Sequence, residues 1–497
     1  MWIAVIFCAA LLRISSACEF SPSSPLETAI VCRVTKPAAL VLNEQTAQVI
    51  QAAFRHATYP DINGEKAVRF LGKVTYGLTN IQISNLSIES SHVELREDDA
   101  VNIMIRNVSA SFKGTLSYGY GAWFVNVGQT IDFELFSSTD LEVNTKLTCG
   151  GKRVAADTSD CYLTFHQLLL HLHGNKQPGW IKQLFTDFIS FTLKLVLKSQ
   201  ICKEINHVAN LLADFIQDRA ENFLNDGDIG VNIDITSFPV IKSNYMESHH
   251  KGLLLYKNLT VPYNGSKFSP SLLTDHKMLY FWFSEDVLNA LALASFLDHR
   301  LELLLPGAEL QEILKVDDTE SHQEIVQEIL EELSTNDSHT KIRSLAPPEI
   351  RINPKGTIVK SSVAVQLQSS SDGKPPTNKL YFETDVTVTV QASYADKKLM
   401  LHLSDSVVHI RNTTSSLQTS SNKETMRHFL HKTVTLFGIP MIMKRLEPTL
   451  TSLMNSKGLA LFDIIEPEII PNEGYLTVQL DFGFPHHLLV DFLKKSL

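Results

Sequence analysis

Residues 180 to 224 read WIKQLFTDFISFTLKLVLKSQICKEINHVANLLADFIQDRAENFL, about 45 residues with neither proline nor glycine. Apolar residues recur at helical spacing throughout, and at 1.5 Å per residue a continuous helix would be about 67 Å long. Lys182, Asp187, Lys194, Lys198, Lys203 and Glu204 are distributed along it, too many charges for a membrane span. A rod of that length implies an elongated protein.

The sequence before the rod has a different period. Residues 74–88 (VTYGLTNIQISNLSI), 101–118 and 130–149 alternate apolar and polar positions over long stretches, which predicts long antiparallel strands that must curve or twist. Ahead of them, Val41, Val49, Ile50 and Phe54 at helical spacing predict a helix from Lys36-Pro37 to about His56, stopped by Tyr59-Pro60. The second half repeats the plan, with a helix over 284–297, strands over 357–368, 379–394 and 398–403, and a helical region over about 424–456 broken at Gly438-Ile439-Pro440. This weak self-similarity, at an offset of about 240 residues, predicts two related halves. The acidic stretch 317–333 reads as a solvated helix.

Length, charge and cysteines narrow the class. Residues 1–17 (MWIAVIFCAALLRISSA) read as a signal peptide ending at a small-residue site, so the mature chain should begin at Cys18. A secreted chain of this size should form two or more domains. The organisation expected is an N-terminal barrel over 18–258, a linker over 259–276, a C-terminal barrel with central-sheet strands over 277–484, and an amphipathic helix over 485–497. A net charge of −10 argues against a nucleic-acid binder and against a generally basic, endotoxin-binding surface. Of the mature cysteines Cys18, Cys32, Cys149, Cys161 and Cys202, at least one must stay unpaired. One disulfide is expected, Cys161 with Cys202 stapling the long helix to the sheet, or alternatively Cys149 with Cys161. Glycosylation sequons stand at Asn85, Asn107, Asn258, Asn264, Asn336 and Asn412, and no Cys or His spacing suits a metal.

The tail 485–497 (PHHLLVDFLKKSL) places Leu488, Leu489, Phe492, Leu493 and Leu497 on an arc of about 200°, with His487, Asp491, Lys494 and Lys495 opposite. So short a helix needs an apolar surface to hold it.

The segments CRVTKPAALVLNEQTAQVIQAAF, YPDINGEKAVRFLGKVTYGLTNIQISNLSI, PGWIKQLFTDFISFTLKLVLKSQICKEI, SHHKGLLLYKN, MLYFWFSE and LMNSKGLALFDIIEPEII, with DFGFPHHLLVDFL in the tail, closely resemble the family of bactericidal permeability-increasing, lipopolysaccharide-binding and phospholipid transfer proteins. The resemblance is to its cholesteryl-ester-transferring branch. It implies an α+β fold: an elongated boomerang of two pseudo-repeated barrels, each a twisted antiparallel sheet wrapped on a long helix, joined by a central sheet and ending in an amphipathic lid helix. It also implies a secreted plasma protein, monomeric, that moves cholesteryl ester and triglyceride, with some phospholipid, between high-density, low-density and very-low-density lipoproteins through a hydrophobic tunnel. No cofactor beyond the bound lipids and no covalent chemistry would be involved. Residue by residue, the match places Cys32, Val34, Gln217, Arg219, Ile233, Ser248, His250, Leu279, Phe281 and Phe462 in the tunnel wall and carries over the Cys161 to Cys202 bridge. A tunnel Arg219 would require a polar partner, for which Gln217, Ser248 and His250 are the candidates. An esterase reading has little support. There is no G-x-S-x-G elbow, and Ser248 and His249, as strand neighbours, would point apart.

Overall fold

The computed structural model describes residues 27–68, 72–97, 100–122, 125–173, 189–257, 265–315, 323–334, 338–369, 377–416, 423–456 and 463–483, and the single positions 18, 20, 180, 259 and 261. The signal segment, Phe462, the tail from 484 onward, and the sequons Asn258, Asn264 and Asn336 lie outside the described residues.

The N-terminal half is an antiparallel sheet in the order Ile62–Val68, Gly72–Ser87, Ala100–Ala122, Val125–Gly150, Arg153–Leu172, with Ser90–Arg96 also paired to the third of these. Strands this long cannot run straight under the normal right-handed twist, and breaks in register at Ile105/Val108, Ser138/Thr139 and Asn144/Lys146 bend them further. The sheet wraps two helices. Lys36–His56 begins with Pro37 in its first turn, as read. The long helix is continuous over Ser190–Leu224, where Leu193, Leu197, Ile201, Ile205 and Val208 form a buried stripe packed on Phe112, Leu135 and Leu141 of the sheet.

The C-terminal half has a sheet in the order Glu302–Pro306, His339–Ser344, Gly356–Ser369, Thr377–Ala395, Lys398–Ser415, with Glu349–Asn353 also paired to its third strand. The last strand is far longer than the expected 398–403. The helical region divides into Lys423–Thr433 and Ile439–Ser456, joined by a π-helical turn over Val434–Gly438 at the expected break. The acidic segment needs correction. Its helix, Gln323–Leu333, is no freely solvated rod, because Ile325, Ile329 and Leu333 at i, i+4, i+8 are buried in the C-terminal core beside Phe429 and Leu430.

The two halves meet in a central sheet ordered Asp463–Asn472, Tyr475–Gly483, Leu279–Ser284, Ile30–Thr35, Tyr245–His250, Val240–Ile241. Strands from the beginning, middle and end of the chain therefore share one layer. The segment read as a linker is anchored to it: Leu273 is buried, and Arg33 donates to the carbonyls of Leu273 (2.6 Å) and Pro270 (2.7 Å).

The expectation of a single disulfide is also corrected. Cys161 in the edge strand is joined to Cys202 in the long helix, and a second bridge joins Cys18 to Cys149 across 131 residues of sequence. Cys149 stands one residue inside the end of its strand, where the hairpin turns through Gly151 and Lys152 at positive φ, and Cys18 lies at that turn with its Sγ 3.3 Å from the Lys152 amide. Cys32 alone stays a free thiol among the described cysteines.

Candidate functional site

Directly opposed residues of an antiparallel sheet share a face, so the central sheet's register sorts the candidate residues. Cys32 opposes Ser248 on one side and Phe281 on the other, and Val34 likewise opposes Met246 and Leu279. Ile30, His250 and Phe283 form the third row. Leu480, Val478 and Leu476 extend the three rows by one strand. Cys32, Val34, Ser248, His250, Leu279 and Phe281 are thus gathered on one face.

That face differs from its reverse. On the reverse, Val31, Arg33, Glu247, Tyr280 and Trp282 are all between 0% and 3% exposed. On the candidate face Cys32, Val34, Leu279, Phe281, Phe283 and Val478 are only half-buried. The apolar surface continues past the sheet edge, since Ile30 and Phe283 pack with Ile233 and with Leu224 at the end of the long helix. The helix's own apolar stripe changes character there: fully buried from Leu193 to Val208, it is half-buried at Leu212 and Phe215, then exposed by 64% at Ile216 and 39% at Phe223. An apolar wall of this extent left incompletely covered is the signature of an apolar ligand site.

Its polar members are satisfied within the protein. The Nδ1 of His250 lies 2.8 Å from the carbonyl of Ile233, and its Nε2 lies 2.8 Å from Ser248 Oγ. A carbonyl only accepts, so Nδ1 carries the ring proton and the Ser248 hydroxyl donates to Nε2. Burial lowers the pKa of His250 below its ordinary value, which keeps the ring neutral. Burial, helped by the charge of Glu247, pushes the Cys32 thiol up to about 12, so Cys32 stays a protonated, unreactive thiol between Ser248 and Phe281. Ser248 and His250 meet because they are two apart on a strand, whereas His249 turns to the reverse face and donates to Glu247 Oε1 (2.8 Å).

Two expected wall residues are placed differently. Gln217 points away from the stripe: its Oε1 accepts from the Val154 amide (2.8 Å) and its Nε2 donates to the carbonyls of Val154 (2.9 Å) and Ala213 (3.0 Å). Arg219, two residues on and so about 200° around the helix, shares the stripe's azimuth. It is exposed, with its guanidinium 5.1 Å from the centre of the Phe215 ring. None of Gln217, Ser248 and His250 supplies its expected polar partner.

Sequence reading missed what lies behind the wall. Arg33 Nε and Nη2 grip Glu247 Oε2 at 2.8 and 2.6 Å. Burial works to raise the Glu247 carboxyl, but the His249 hydrogen bond and the Arg33 charge outweigh it and hold the group below the ordinary range. The cluster sits against Phe268 and Trp282 through edge contacts of 5.3 and 5.4 Å that begin at the His249 ring. The only sequence signal for it was an arginine inside the apolar strand IVCRVT; Glu247 lies in the mostly polar run YMESHH.

Comparison with known proteins finds relatives for both halves of the chain. Residues 39–215 match the N-terminal domain of the LBP / BPI / CETP family and residues 224–484 match its C-terminal domain. A cholesteryl ester transfer protein of Gallus gallus is 54% identical over 488 residues, covering 98% of this chain and 97% of its own. One of Homo sapiens is 52% identical over 496 residues, covering 100% of both. A phospholipid transfer protein of Homo sapiens is 20% identical over 380 residues, covering 75% of this chain and 74% of its own.

Proposed function

Because the chain belongs to the LBP / BPI / CETP family, we propose that it is a secreted carrier of neutral lipid. It takes cholesteryl ester, and triglyceride with it, between high-density, low-density and very-low-density lipoprotein particles as a monomer, with phospholipid at its openings and no covalent step. The observation that carries this reading is the half-buried apolar face of the central sheet, continuous through Phe283 and Leu224 with the exposed end of the helix stripe. Cholesteryl ester transfer proteins that align from end to end with this chain support the choice of lipid.

The wall suits such a cargo for a physical reason. Each methylene moved from water onto it contributes about 0.8 kcal/mol, and an ester with a sterol and a long acyl chain has many. Ser248 and His250 add little desolvation cost, because their hydrogen bonds are already made within the protein. The ester is held by shape and apolar contact, so it can slide. The tail, with Leu488, Leu489, Phe492, Leu493 and Leu497 on one arc, is the lid of the N-terminal barrel opening, and Phe462 completes the wall.

The test follows labelled cholesteryl ester from donor to acceptor lipoproteins. Transfer at catalytic amounts of protein, without free fatty acid, is the expected result; fatty acid released in step with transfer would replace the carrier with an esterase. Deleting 485–497, or replacing Phe492→Asp, should reduce transfer at least tenfold with the melting transition unchanged. Normal transfer by Phe492→Asp would make the tail a structural strut.

A further inference from the structure

The outer face of the N-terminal sheet carries a feature that lipid transport does not use. Two rows cross four strands there: Asn85, Ser111, Phe136 and Leu169, and beside them Ser87, Ser109, Ser138 and Gln167. The alternating positions Leu86, Phe112 and Leu135 face the barrel core, so these rows lie on the outer face, where all but Ser111, covered by the Ser84 hydroxyl at 2.6 Å, are exposed or half-buried. Between them is an open cavity of about 230 Å³ whose lining includes Asn85, Ser87, Ser109, Phe136, Ser138 and Gln167. Phe136 is 41% exposed, with its ring edge-on to His171 at 5.3 Å.

This lining is wrong for a lipid chain and right for a sugar. A pyranose ring presents hydroxyls around its rim and a patch of C–H groups on its face. The groove offers hydroxyls, amides and one bare aromatic ring in a space that holds about one such ring. The carbohydrate also has a source within the chain, because Asn85-Leu86-Ser87 is an acceptor sequence and Asn85 stands on the cavity wall. Asn107 and Asn412 are different, since their side-chain nitrogens are drawn to Glu89 Oε2 (2.6 Å) and Glu383 Oε2 (2.8 Å).

We propose that this groove is the bed of an N-linked glycan on Asn85, with the first N-acetylglucosamine lying against Phe136. The donor is a lipid-linked oligosaccharide: the Asn85 amide nitrogen forms a bond to C1 of the sugar as the C1–O bond to the polyprenyl diphosphate breaks, and the nitrogen gives up one proton to base. The sugar's face then covers Phe136, and its hydroxyls and N-acetyl group pair with the serine hydroxyls and Gln167. Seated in this way, the glycan spans four strands at the point where their register breaks, at Ile83/Asn85 and Ser138/Thr139.

The proposal rests on the chain being secreted, and the test separates the two. The full chain is expressed in cultured animal cells and recovered from the medium, which by itself establishes secretion. Mass spectrometry of the peptide that contains Asn85 should find it glycosylated. On the native protein, release of that glycan by a peptide amidase should be threefold to tenfold faster in Phe136→Ala than in wild type, the change expected from losing one aromatic contact. An unchanged melting transition would show that the variant is folded. A bare Asn85 in secreted protein, or equal release rates from folded variant and wild type, overturns the proposal.

Discussion

The two barrels solve the same problem with different materials. Each sheet ends in a long edge strand that a helix must cover, because an unpaired edge buried against a core would leave its amides and carbonyls without partners. In the N-terminal half the helix behaves almost as a further strand. Asn206 accepts from the amide of Thr158 (3.1 Å), Asn210 bonds both the amide (3.0 Å) and the carbonyl (2.8 Å) of Ala156, and Gln217 does the same for Val154. These three residues fall on one line of the helix and meet every second residue of the strand. The Cys161 to Cys202 bridge and the pairing of Arg153 with Asp218 and Glu221 complete the seam. In the C-terminal half the cover is looser. Thr451 and Glu447 accept from the amides of Leu399 (2.9 Å) and Leu401 (2.7 Å), Arg427 donates to the carbonyl of Ile410 (2.7 Å), and the helix itself is interrupted by a π turn. No disulfide joins that helix to its strand among the described residues. The N-terminal seam is built to stay shut, and the C-terminal one to give.

The disulfide is the largest asymmetry and so the strongest way to break the comparison. Replacing both Cys161 and Cys202 with Ala should cost about 2 to 5 kcal/mol of unfolding free energy and lower the melting temperature of the N-terminal half selectively in calorimetry. If both halves fell together, the barrels would unfold as one unit and the contrast between seams would have no thermodynamic meaning.

A subtler asymmetry separates the amide ladder from the single acceptors. Asn210→Leu strands both the amide and the carbonyl of Ala156, at about 2 kcal/mol, whereas Thr451→Val strands only the amide of Leu399, at about 1 kcal/mol. Urea unfolding of the two variants measures the difference. Equal costs would show that water reaches the N-terminal edge when the side chain is lost.

Much of this was legible, and the failures share a cause. The first helix and three of the long N-terminal strands, Gly72–Ser87, Ala100–Ala122 and Val125–Gly150, show in the sequence because one face of each is core and the other is solvent, which imposes a clean period. The strand Lys398–Ser415 was read only to Leu403 because Ser404, Asp405 and Ser406 follow without alternation; these three are exposed or half-buried, so no core face imposed a pattern. In the acidic helix the charges hid three isoleucine and leucine positions at i, i+4, i+8. The expected wall residues on the central sheet, Cys32, Val34, Ser248, His250, Leu279 and Phe281, fall on one face together, because strand register moves them as a group. Gln217 was misplaced because similarity of sequence preserves a residue without saying which way its side chain faces, and its amide was needed at the seam. The Cys18 to Cys149 bridge spans 131 residues, and no local pattern could announce it.

The smallest effect expected belongs to the layer the two barrels share. His250 is buried and neutral, with its pKa depressed from the ordinary 6.5 by desolvation, so the unfolded chain binds a proton there more readily than the folded one. Its contribution to stability is complete above pH 6.5 and is lost as the pH falls from there toward the depressed folded value. Protonating Nε2 would also expel the Ser248 hydroxyl as a donor and leave a charge among Cys32, Ile233 and Phe283. Glu247 behind the sheet acts in the same sense at lower pH, because its folded pKa also lies below the ordinary 4.5. Since the sheet takes strands from both ends of the chain, acidification from pH 7 to 5.5 should lower the melting temperatures of the two halves together, unlike either seam variant. His250→Gln should flatten this dependence while retaining an acceptor for Ser248. If only one half responds to acid, or if the variant keeps the wild-type slope, the central sheet is not the hinge of stability common to both barrels and His250 is not its titrating group.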